Sequence, residues 1–210
     1  MEPICEIVLY GNKEWKLPNG KLHREDGPAI EYINGTKEWW IKGKLHREDG
    51  PAIDCFNGTK EWYLQGKLHR EDGPAIEDSN VNKFWCINDK LHREDGPAVE
   101  RVNGNKYWYL RGKLHREDSP AVEWADGHKE WWIENKLHRE DGPAIEWVNG
   151  DKEWWINGYR YTEEVYNFIV RRRRKISFKY WLKWNDYIMD PNTERGQRFM
   201  NRQYDKLLLL

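Results

Sequence analysis

Lys21-Leu22-His23-Arg24-Glu25-Asp26-Gly27-Pro28-Ala29 returns at Lys44, Lys67, Lys90, Lys113 and Lys136, always 23 residues after the previous start, with Ser119 for glycine as the one change. A fixed period of that length means one supersecondary unit copied end to end, so each residue is read first by its slot in the repeat. A residue that recurs six times is needed by the fold before it is needed by chemistry, since a catalytic group is normally required once.

Between two copies of this segment the chain reads Pro28-Ala29-Ile30-Glu31-Tyr32-Ile33, then Asn34-Gly35, then Thr36-Lys37-Glu38-Trp39-Trp40-Ile41, then Gly43-Lys44. Two β-branched and aromatic runs around Asn-Gly predict a hairpin with a type I′ turn, because both central positions need positive φ. The turn pair recurs at Asn57-Gly58, Asn103-Gly104, Asp126-Gly127 and Asn149-Gly150, while Val81 replaces glycine in the third copy and predicts a different or looser turn there. If the second run is one continuous strand, period two puts Trp39 and Ile41 on one buried face, with their counterparts from Trp62 to Ile156. Trp40, Tyr63, Cys86, Tyr109, Trp132 and Trp155 then point to the opposite face. The expected fold is mainly β, an elongated single-sheet antiparallel hairpin repeat of about 13 or 14 strands, two per unit.

The ends depart from the pattern. Residues 1–20 read as a degenerate capping repeat, 21–158 as the six repeats, and 159–210 as a basic helical region. Thr162 can cap a helix, Glu163 and Glu164 suit its positive end, and Val165, Phe168 and Ile169 form an apolar stripe. Further helical stretches are expected over 177–189 and after Asp190-Pro191-Asn192, the whole region covering the open edge of the last hairpin.

The repeating hairpins, most ending in Gly-Lys and each followed by a charged loop, resemble MORN repeats over residues 4–158, in the variant with a His-Arg-x-x-Gly-Pro-Ala core. That variant is found in proteins of large DNA viruses, phages and bacteria, so the resemblance implies a MORN-like meander or solenoid serving as a scaffold or binding platform, of viral or bacterial origin, without catalysis.

Composition narrows the function classes. The chain has 14 Trp and 34% charged residues, with a formal charge of -1 that conceals an acidic body and a basic stretch from Tyr159 onward. Cys5, Cys55 and Cys86 form no CxxC pair, and their irregular spacing argues against a disulfide framework. No run approaches the ~18 apolar residues of a membrane span and the start has no leader pattern, so an intracellular, cytoplasmic protein is expected, host-cytoplasmic if viral, with nuclear location open from the basic run.

His23, His46, His69, His92, His115 and His138 invite a metal reading. Equivalent residues in consecutive hairpins lie about 9.5 Å apart, too far for two to share one zinc. The favoured reading is structural: His and Asp bond turn backbone, Arg pairs with Glu or Asp of the neighbouring repeat, and Pro-Ala restarts the strand. No cofactor and no metal are expected, and catalytic motifs such as Gly-x-Ser-x-Gly are missing from the sequence. His128, outside the motif, is expected to be solvent-exposed. The leading expectation is a non-enzymatic scaffold whose partner is another protein, self-association included, bound along Trp40, Tyr63, Tyr109, Trp132 and Trp155. A sequestering binder of a small ligand on the loop ladder is the alternative. So is attachment through Arg171, Arg172, Arg173, Arg174 and Lys175 to nucleic acid or an anionic membrane, although the same run also reads as a solvated helix end.

Overall fold

The computed structural model describes residues 3–8 and 11–173, with side chains to 171. The helical stretches expected beyond 177, and Arg174 and Lys175, lie outside the described residues. The fold is mainly β, built of antiparallel hairpins and followed, among the described residues, by one helix, α1 (Glu163–Arg173). The chain forms two compact units, Met1–Leu114 and His115–Leu210. The first holds ten ladder strands from Ile4–Ile7 to Lys106–Tyr107, and the second holds five from Val122–Glu123 to Tyr159–Tyr161.

The register explains the charged composition. Glu31 faces Lys37, and Lys37 faces Asp54 on its other side, so opposite charges alternate along the first unit. Lys129 likewise faces Glu123 and Glu146 in the second. Cross-strand pairs of opposite sign stabilise a sheet modestly, by roughly 0.2–1 kcal/mol each, and leave it wettable.

Each repeat contains two hairpins rather than one. The run Thr36–Ile41 is not a continuous strand, because Trp39 changes partners: its N–H donates to the Ala52 carbonyl, and its own carbonyl accepts from His46 N–H. Lys37–Glu38 therefore belong to the ladder, whereas Trp40–Ile41 pair with Lys44–Leu45 in a separate small hairpin. Successive small hairpins are linked in turn, Gly66 N–H donating to the Leu45 carbonyl and Arg47 N–H to the Tyr63 carbonyl. The face assignment that assumed one straight strand fails for this reason. Ile41, Leu64, Ile87, Leu110 and Ile133 are only half-buried, as are the tryptophans two residues before them except Trp131.

The completely buried slot is the alanine of Gly-Pro-Ala, with Ala29, Ala52, Ala75, Ala98, Ala121 and Ala144 all at 0% exposure. The carbonyls of Ala52, Ala75, Ala98 and Ala144 receive a Trp N–H where the ladder strand breaks, as for Ala52 with Trp39 and Ala75 with Trp62.

The turns also differ from expectation. At Asn34-Gly35 only Gly35 has positive φ, and the loop closes through Tyr32 N–H to the Thr36 carbonyl and Gly35 N–H to the Tyr32 carbonyl. This is a three-residue loop with its last residue left-handed, with the Asn34 side chain accepting from Thr36 N–H. Val81 keeps the same loop instead of loosening it, at φ 65°, because Asp78 Oδ1 accepts from both Asn80 and Asn82 N–H. The two-residue turn with both positions left-handed is found in the small hairpin, at Lys42-Gly43 with φ 51° and 81°.

Helix α1 is capped by Thr162, as its sequence implies, with the Oγ1 accepting from Val165 N–H. Tyr166, Ile169, Tyr161 and Ile156 form its buried core, flanked by Val165 and Phe168. No helix among the described residues is long and apolar enough to cross a membrane.

Candidate functional site

Each loop of the repeated motif is assembled by its arginine. Arg47 lies 4.1 Å above the Trp39 ring, donates through Nε to Asp49 at 2.8 Å, and donates through Nη1 to the Pro51 carbonyl at 3.3 Å. Arg70, Arg93 and Arg139 repeat this and add the glutamate seven residues on, at 3.2, 3.1 and 2.8 Å. A guanidinium stacked on an indole and forked onto a carboxylate is a strong, directional hub. Asp26, Asp49, Asp72 and Asp95 are held below the usual carboxylate range by this hydrogen bond first and by the arginine's charge second.

The glycine of Arg-x-x-Gly is fixed by the same stack. A Cβ at Gly73 would lie 2.7 Å from Arg70 Cζ, and one at Gly96 2.8 Å from Arg93 Cζ, so the constraint is space and not φ. Where Ser119 fills this slot, Arg116 is 32% exposed, against 19–24% for Arg24, Arg47, Arg70, Arg93 and Arg139.

The histidines act across repeats. Nδ1 of His46 accepts from Gln65 N–H at 3.1 Å, and His23, His92, His115 and His138 do the same for Lys42, Arg111, Glu134 and Asn157. The donor is always the first left-handed residue of the small-hairpin turn 19 residues on. Nε2 faces the glutamate two residues later, as in His46 to Glu48 at 3.6 Å. The expectation that His and Asp both serve turn backbone holds for His, though not within its own loop, whereas Asp is engaged by Arg. Among the described residues, no three His, Cys, Asp or Glu cluster tightly enough to hold a metal.

The expected binding aromatics are half-buried, and several have their polar atoms engaged. Trp40, Trp132 and Trp155 donate Nε1 to Glu38, Glu130 and Glu153, and Tyr63 donates its hydroxyl to Glu61. Burial and Glu61 push the Tyr63 hydroxyl well up, and burial raises Tyr109. Arg171 is exposed at the end of α1; Arg172 and Arg173 close that helix. His128 is 7% exposed, a correction to its expected exposure, because it stacks on Trp147 at 4.1 Å and Trp124 at 5.9 Å and faces Glu130.

What the sequence did not reveal is a groove between successive loops. In the first unit Trp62 and Leu64 form its floor, with Arg47–Gly50 on one side and His69–Asp72 on the other. In the second unit Trp131 and Ile133 form the same floor between Glu117–Pro120 and His138–Asp141. The rims are acidic and open to solvent, Glu48 and Glu71 being 83% exposed and Asp49 and Asp72 84%. The aliphatic stem of the repeat's lysine lies against the next small-hairpin turn, Lys44 Cβ being 3.6 Å from where a Cβ on Gly66 would stand. Chemically the groove offers an apolar floor with negative edges. The two grooves differ in one wall slot, where Ser119 of the second stands in place of Gly50 of the first.

Neither a scan against protein-family models nor a search of curated proteins finds a match to this chain.

Proposed function

We propose that this protein is a non-enzymatic repeat scaffold of MORN-like type, which binds a protein partner in the grooves between its loops. The observation that carries the reading is the recurrence of a groove at the same repeat positions in both units, with a Trp and an aliphatic residue as its floor and acidic residues on both walls. An exposed apolar floor bounded by charge is the composition of a protein-binding surface, in which buried aromatic and aliphatic groups supply affinity and rim charges supply orientation. The repeated His, Arg and Asp are engaged in holding the loops together, which favours binding over catalysis as their role.

Affinity capture from the native cell, with wild-type chain and with a Leu64→Glu, Ile133→Glu variant of verified circular dichroism, tests this. The expected result is a polypeptide retained by the wild type and lost by the variant. Equal retention by both, or a small molecule carried in multiples of the repeat with no polypeptide, would overturn the proposal. Reversing the exposed rim with Glu48→Lys and Glu71→Lys, which leaves the floor intact, gives the same comparison if the floor variant misfolds.

A further inference from the structure

The last groove of the protein is already occupied. Its floor is Trp154 and Ile156, its leading wall is the loop Arg139–Gly142, and α1 starts where a further His-Arg-Glu-Asp loop would otherwise stand. Tyr166 and Ile169, one helical turn apart, pack on this floor together with Tyr161. Ile156 is thereby 0% exposed, whereas Leu64 and Ile133 in the equivalent slot remain half-open. Gly142 N–H donates to the Tyr166 hydroxyl at 3.0 Å, and Glu140 is 45% exposed, against 80–83% for its counterparts Glu25, Glu48, Glu71, Glu94 and Glu117.

Gly50 holds the position of Gly142 in the first-unit groove and lines it. Among the described residues its N–H has no acceptor. The open groove thus repeats the donor, the apolar floor and the rim that the last groove uses to hold α1.

We infer that the open grooves take a polypeptide segment of the chemistry that fills the closed one, a tyrosine and an aliphatic residue one helical turn apart, with basic residues following them to match the acidic rim. In the first-unit groove the tyrosine hydroxyl accepts from the Gly50 N–H at the groove wall, the aliphatic side chain covers Leu64, and basic residues of the segment meet Glu48, Asp49, Glu71 and Asp72; in the second-unit groove the aliphatic side chain covers Ile133, and Ser119 stands in the slot of Gly50. Helix α1 has this pattern, with Tyr166 and Ile169 followed by Arg171, Arg172 and Arg173. Loops repeating about every 9.5 Å are too close for a helix about 10 Å wide to enter between them, so the partner lies along the groove mouths and inserts side chains. This inference rests on the grooves being the binding surface.

The probe is a labelled peptide copying residues 162–173, titrated against the full chain by fluorescence anisotropy. Saturable binding is expected, weakened about fivefold by Tyr166→Phe in the peptide through loss of one hydrogen-bond acceptor. Binding should also be lost in the Leu64→Glu, Ile133→Glu chain and weakened by Glu48→Lys with Glu71→Lys. No saturable binding up to about 1 mM, equal affinity of the phenylalanine peptide, or indifference to the floor and rim variants would overturn the inference. The peptide comparison needs no variant of the protein, so misfolding of the floor variant cannot mask the outcome. If the peptide fails while a captured partner still depends on Leu64 and Ile133, the inference falls and the proposed function stands; if the captured partner ignores those residues as well, both fall.

Discussion

The backbone at Val81 passes through φ 65° with a β-branched side chain, a position that glycine fills at Gly35, Gly58, Gly104, Gly127 and Gly150. Left-handed geometry costs a non-glycine residue about 1–2 kcal/mol, and here Asp78 offsets that cost by accepting from two turn N–H groups. Val81 is itself exposed, so little packing is lost on its removal. Val81→Gly should therefore stabilise the chain by about 1 kcal/mol, read as a higher denaturant midpoint at unchanged slope. A lower midpoint would mean that the strain is not there. Asp78 stands in the slot of Tyr32 and Cys55, a departure from the repeat visible in the sequence. Its compensating role was not, because Asn80 and Asn82 become its donors only once the turn has closed.

At the scale of the element, the small hairpin depends on a histidine 19 residues earlier for one of its turn N–H groups. His46→Ala removes that acceptor and should cost about 1 kcal/mol. Asparagine places Oδ1 close to where Nδ1 stood, so His46→Asn should recover most of the loss in thermal or denaturant unfolding; an asparagine variant no better than alanine would show that the Glu48 contact or ring packing matters instead. The hairpins themselves were legible, since period, Asn-Gly pairs and β-branched runs agree. The break at Trp39 was not, because Thr36–Ile41 contains no Gly, Pro, Asn or Asp to interrupt a strand, and what divides it lies elsewhere, in the Ala52 carbonyl and His46 N–H. The grooves were hidden for the same reason, since the break decides which tryptophans floor them. Thr162 could be read as a cap from local sequence, whereas the partner of Tyr166 lies 24 residues upstream and leaves no local trace.

For the whole molecule, the internal joints of the repeat are interchangeable. Residues 44–66 run from one Lys-Leu-His-Arg to the residue before the next, so deleting them joins Lys42-Gly43 to Lys67-Leu68 as in any other copy. The shortened chain should fold with an unchanged circular dichroism signature and unfold with a smaller denaturant slope, in keeping with the smaller surface exposed. Loss of a cooperative transition would show that this copy is not equivalent to the others. The reach of 19 residues from histidine to turn has a consequence for biosynthesis. A loop emerging from the ribosome lacks the N–H that engages its histidine until most of one further repeat has followed it out. At about 5–20 residues per second this is a lag on the order of seconds at most, after which each unit is closed by its successor, and α1 closes the last groove when it arrives.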